Sequence, residues 1–163
     1  MFVTVGFQMP FDRLVRAIDE WAGAHGRTDV FAQTGDGDYR VRHIQAVPWL
    51  DPPQFRAKLE QADAIVSHAG MGTILTALEL GKPLLVMPRR AHLVETRSDH
   101  QMATAREFAE RGWLLAAADE SELPARLGEL TRFQPAARFG HEASPDLLGW
   151  LRAFTEQVAS GRS

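Results

Sequence analysis

Gly70 and Gly72 stand one residue apart, where an apolar run, Ala64-Ile65-Val66, gives way to a helical pattern. His68 precedes them and Thr73 follows, in the stretch SHAGMGTILTALELGKP over residues 67–83. A strand that turns on glycines into a helix suits one kind of chemistry. The first helical turn has N–H groups without partners, and the aligned peptide dipoles put partial positive charge there. An anion fits that end, and phosphate is the common case. Glycine lets the backbone come close to the ligand and reach positive φ. Thr73 adds a hydroxyl and an N–H at the same place. His68 falls at the carboxyl end of the strand, where open α/β sheets bind ligands. Tight turns use the same glycine spacing. The pair is not the dinucleotide fingerprint, because Leu75 stands where its third glycine belongs, and Gly81-Lys82-Pro83 ends a helix where a P-loop would open one. On these residues alone a phosphate site and a plain turn both stay open.

Other residues carry weaker signals. Arg89 and Arg90 follow the strand Leu84–Met87, with His92 and Arg97 in the same loop. They stand over phosphates, over an acidic sugar, or in a solvated loop. Asp36-Gly37-Asp38 has the D-x-D spacing of a metal–diphosphate motif, but Asp and Gly are also ordinary turn residues. His25, His43 and His141 read as surface or capping residues, and Asp12, Asp19 and Glu20 as the solvated side of the first helix. No His pair has the spacing of a zinc helix.

The elements that must position these residues follow from apolar periodicity. Phe2–Val5, Val30–Ala32, Ile44–Val47, Ala64–Ser67, Leu84–Met87 and Trp113–Ala116 read as strands. Helical spacing appears at Phe11, Leu14, Val15, Ile18 and Ala22, and again at Phe55, Leu59 and Ala62 after Asp51-Pro52-Pro53. Further helices run from Thr73 to Leu80, after a Ser98 or Asp99 cap, and from Ser121. Strands that alternate with helices and are apolar throughout describe a parallel sheet covered on both faces. Residues 1–131 form that domain. Residues 132–163 form an extension whose stripe Leu147, Trp150, Leu151, Phe154 and Val158 packs on the domain or on a partner.

The chain has 163 residues, enough for one domain with its own core. A net charge of −3 gives no reason to expect nucleic acid as a partner. With no cysteine, thiolate metal sites and a Cys nucleophile are excluded. MFVTVG enters a strand-like run without the basic start of a signal peptide, so the chain reads as cytoplasmic.

SHAGMGTILTALELGKPLLVMP followed by SDHQMATAREFAERG resembles the C-terminal donor-binding domain of glycosyltransferase family 28. The opening VTVG, then PFDRL, QTG and LEQADAIVSHAG match in order, over residues 1 to about 117. The resemblance is strongest to the small subunit of two-chain UDP-sugar transferases of lipid-linked oligosaccharide or exopolysaccharide synthesis. It implies a Rossmann-like α/β fold, the C-terminal half of a GT-B glycosyltransferase. It implies an inverting transferase that takes a hexose, N-acetylhexosamine or uronic acid from a UDP-sugar to a polyprenyl-diphosphate-linked acceptor. It implies no metal and no cofactor. Its partner would be a membrane-anchored, acceptor-binding subunit that supplies the general base and holds this chain at the cytoplasmic membrane face. The implied substrate-binding residues are Gly6, His68, Gly70, Met71, Gly72, Thr73, Thr76 and Arg89, with Asp99, His100 and Gln101 toward the sugar. Two departures stand out. Thr76 occupies a position where the wider superfamily often has a ribose-binding Glu, and Phe7 replaces the hydroxyl of the related VTVGT. A non-catalytic nucleotide-sugar-binding accessory or sensor is the alternative.

Overall fold

A computed structural model describes residues 1–136. The expected final helix and His141 lie outside the described residues. The elements in order are β1 (Phe2–Thr4), α1 (Asp12–Ala24), β2 (Phe31–Gln33), β3 (Gln45–Val47), α2 (Pro52–Gln61), β4 (Ile65–His68), α3 (Met71–Glu79), β5 (Leu84–Met87), α4 (His100–Glu110), β6 (Leu115–Ala116) and α5 (Leu123–Leu130). Every strand pairing is parallel, in the order β3-β2-β1-β4-β5-β6. The expected Rossmann-like parallel sheet is therefore the observed one.

Strand side chains alternate between two cores. Val3, Val66 and Leu85 face the side covered by α1 and α5, with Leu14, Ile18 and Leu127. Phe2, Ile65 and Leu84 face α2, α3 and α4, with Leu59, Ile74 and Phe108. A strand buried on both faces has no place for a polar residue unless it is paired, which explains the continuous apolar runs. All strands point the same way, so all their carboxyl ends and following loops meet along one edge. The order reverses between β1 and β4, and ligands of open α/β sheets bind at that switch point.

Local chemistry sets the boundaries. Asp51 caps α2: its carboxylate accepts from the Gln54 N–H, while the Gln54 side chain accepts from the Asp51 N–H. α3 starts at Met71, two residues earlier than expected, with Gly70 at its N-cap. α5 starts at Leu123, after a turn in which the Asp119 carboxylate accepts from both the N–H and the hydroxyl of Ser121.

The structure corrects the expectation for Asp19. It is fully buried, and its carboxylate accepts from the Tyr39 hydroxyl and from the N–H groups of Arg42, His43 and Ile44. Asp19 therefore anchors the long β2–β3 connection to α1. Asp12 does the same nearer the site, accepting from the N–H groups of Asp38 and Tyr39. Glu20 is exposed, as expected.

Candidate functional site

The first turn beside the switch point follows β1. Gly6 has φ 76, which a residue with a side chain adopts at a cost of roughly 1–2 kcal/mol. Two polar side chains hold it there. The Gly6 N–H donates to the Thr4 hydroxyl, which donates to Gln33 Oε1, and Gln33 Nε2 donates to the Gly6 carbonyl. Thr4 and Gln33 are both fully buried. Sequence reasoning missed these two as positioning residues. The available signal was a polar residue inside each of two otherwise apolar strands.

The second turn follows β4 and carries His68. Its ring lies between the two glycine turns. A Cβ at Gly6 would sit 2.6 Å from His68 Cε1, and one at Gly70 would sit 2.2 Å from His68 Nε2. Both glycines are therefore required by the imidazole itself. Gly70 has φ −90 and ψ 131, extended backbone, so positive φ is not its reason for being glycine. Gly72 differs: a Cβ there would meet nothing within 4 Å. Space stays open over the first turn of α3, and no side chain caps that turn. The N–H groups of Met71, Gly72 and Thr73 are thus available to a ligand. Thr73 is buried at 8% exposure, and Thr76 spends its hydroxyl on the Gly72 carbonyl, 2.9 Å away.

Burial pushes the His68 imidazole down to about 4, and the positive charge of Arg89 adds to the effect. His68 is neutral at pH 7. Its folded value lies below the ordinary 6.5, so the stability it contributes is whole above about 6.5 and is lost as the pH falls toward 4. NMR titration of the ring is expected to give a midpoint near 4. A midpoint at the ordinary value would contradict the buried geometry.

Arg89 is not solvated. It is 4% exposed, and its terminal N–H groups donate to the carbonyls of Val5, Met9, Pro10 and Glu95. Burial lowers it to about 10, which leaves it charged at neutral pH. Arg90 donates to the Ala118 carbonyl and lies near Asp119. Arg13 of α1 grips Glu95 through both carboxylate oxygens and also bonds Glu120, which fixes the β5–α4 loop.

Asp99, His100 and Gln101 separate in role. Asp99 is the N-cap residue of α4, yet its carboxylate accepts from the Ala91 N–H. The His100 ring pairs with the Ser98 hydroxyl. Gln101 is buried and accepts from the Arg89 N–H through Oε1. His100 and Gln101 share a polar recess with Val5, Phe7, His68 and Arg89. On the other flank, the exposed Phe7 ring stacks on Trp49 at 6.1 Å and 12°, with Phe55 at 5.5 Å. The Trp49 indole donates to Asp36, so the D-x-D turn serves this aromatic pair. Among the described residues no group of three or more His, Asp or Glu side chains is arranged to hold a metal ion.

The model of the glycosyltransferase family 28 C-terminal domain matches residues 1–139. The chain belongs to this family. Over 123 residues this family 28 chain is 29% identical to the UDP-N-acetylglucosamine transferase subunit ALG13 of Mus musculus, a match covering 69% of the chain and 10% of that protein. The chain thus spans about a tenth of that relative's length. Its fold matches the NMR solution structure of ALG13 with a TM-score of 0.63 at 20% identity, covering 97% of this chain and 96% of that one. It also matches the crystal structure of the glycotransferase of kitacinnamycin with a TM-score of 0.58 at 20% identity, covering 98% of this chain and 39% of that one. The family 28 fold here is Rossmann-like and matches the C-terminal half of GT-B glycosyltransferases.

Proposed function

We propose that this chain is the donor-binding part of an inverting glycosyltransferase that uses a UDP-sugar. The observation that carries the proposal is the uncapped start of α3 with open space at Gly72. Diphosphate is the leaving group in such a transfer, and fixed N–H donors stabilise the charge it develops. The surroundings suit the rest of a sugar nucleotide. The Phe7–Trp49 stack offers a flat apolar surface for the base. The recess at His100 and Gln101 offers donors and acceptors for sugar hydroxyls.

One α/β domain forms only one lip of a cleft. The acceptor, a polyprenyl-diphosphate-linked sugar, and the general base therefore belong to a second, membrane-attached subunit. This chain then works at the cytoplasmic membrane face through that partner. Among the described residues no helix is long and apolar enough to cross a membrane. The named role of the mouse relative, a transferase subunit, supports the division.

Calorimetric titration with UDP tests the site. Gly72→Trp fills open space rather than the core, so it is expected to fold normally and to weaken UDP binding about 100-fold. Equal affinity in both proteins would remove the site. Measuring UDP release with a lipid-linked acceptor, with and without the co-expressed partner, separates a transferase subunit from a binding accessory. An accessory would release no UDP in either case.

A further inference from the structure

Arg89 joins two loops that no strand pairing connects. Its four terminal N–H groups reach Val5, Met9 and Pro10 in the β1–α1 loop and Glu95 in the β5–α4 loop. The Phe11 ring lies 4.9 Å from the guanidinium carbon and closes its other side. These carbonyls satisfy the terminal N–H groups but carry no net charge, and Glu95 offsets the cation only through space. The nearest acid in the loop, Glu95, has its carboxylate committed to Arg13 and to the Arg90 N–H. Arg89 has no ion-pair partner among the described residues, while Arg13 has two. A buried cation without a counter-ion is costly. Here the cation borders an open recess beside His68.

We propose that Arg89 is a positioning residue of the diphosphate site. It fixes the spacing of the two loops across the switch point and supplies positive charge to an anion beside His68 without touching it. A direct hydrogen bond from a terminal N–H to phosphate would require releasing one of the four carbonyls, which would loosen a loop. Arg89 acts through its field and through the loops. The proposal rests on the diphosphate reading above.

The test compares wild type, Arg89→Lys and Arg89→Met in calorimetric titrations with inorganic pyrophosphate, UDP and uridine. Amide hydrogen exchange over residues 5–10 and 90–95 follows the loops. Arg89→Met is expected to weaken pyrophosphate and UDP by about tenfold or more and uridine by no more than about threefold, because the neutral ligand feels the loosened Phe7 loop but not the lost cation. Arg89→Lys keeps the charge and loses the fork. It is expected to retain pyrophosphate affinity within about threefold while both loops exchange faster. A purely structural arginine would weaken UDP and uridine alike. Arg89→Met binding pyrophosphate as wild type does would overturn the proposal. So would Arg89→Lys losing pyrophosphate and uridine affinity together, and this arm decides if the methionine variant does not fold. Wild type that binds pyrophosphate but not UDP would refute the nucleotide reading and leave Arg89's role standing. Wild type that binds neither would refute both.

Discussion

Asp19→Ala is expected to lower the unfolding free energy by about 3 kcal/mol and the melting temperature by about 10 °C. The substitution strands the N–H groups of Arg42, His43 and Ile44 and the hydroxyl of Tyr39, all of which now donate to one buried carboxylate. Leaving buried donors unmade costs more than the net value of the bonds themselves. Asp19→Asn can accept from only some of these donors and should fall between the two. Acid gives an independent check. Burial alone would raise the Asp19 carboxyl, but the bonds from the His43 and Arg42 backbone, the Tyr39 hydroxyl and the Ile44 backbone outweigh it and hold it below its ordinary 3.8. Its contribution is therefore whole above that value and disappears as the pH falls through the lower folded one. Thermal melts of wild type and Asp19→Ala should differ at pH 7 and converge in strong acid. A melting temperature within about two degrees of wild type at pH 7 would refute the anchoring role.

Gly70→Ala should damage both fold and site, whereas Gly72→Ala should damage neither fold nor packing. The added methyl at Gly70 lands 2.2 Å from His68 Nε2, and the ring cannot retreat because Gly6 closes its other side. Overpacking of this kind costs about 2 kcal/mol. If the ring is displaced instead, the glycine turn beside it is disturbed, and UDP affinity should fall by about tenfold or more. At Gly72 nothing lies within 4 Å, so stability should stay within about 1 kcal/mol of wild type. Any loss of UDP affinity in Gly72→Ala then reports the ligand's own approach. Differential scanning calorimetry beside nucleotide titration separates the two effects. A Gly70→Ala protein that melts and binds like wild type would show that the imidazole is not confined.

The contrast between these two glycines explains what the sequence could reveal. Strand and helix existence was legible, because period and apolar runs act over a few residues. Leu84–Met87 was read with its observed bounds. The strand–glycine–helix unit was legible for the same reason. The ordered matches from VTVG to SDHQ then fixed the family. Which glycine serves the ligand was not legible, because Gly6 and His68 meet only through the pairing of β1 with β4. Asp19 looked solvated because its partners lie 23 to 25 residues on, in a connection with no periodic signal. Arg89 looked like a loop cation because three of its four carbonyls are 79 to 84 residues back along the chain. A phosphate-facing arginine and a loop-stapling arginine have the same local sequence. Only tertiary placement tells them apart.

The outermost strands have a consequence for association. β3 contributes three residues, with Pro48 following it, and β6 contributes two. A neighbouring chain that tried to extend the sheet would find only a few ladder positions before the template ran out. Proline also supplies no N–H to continue it. The protein therefore gives amyloid-like growth little purchase at either flank. Among the described residues, the two sheet edges offer a second polypeptide few backbone groups to pair with.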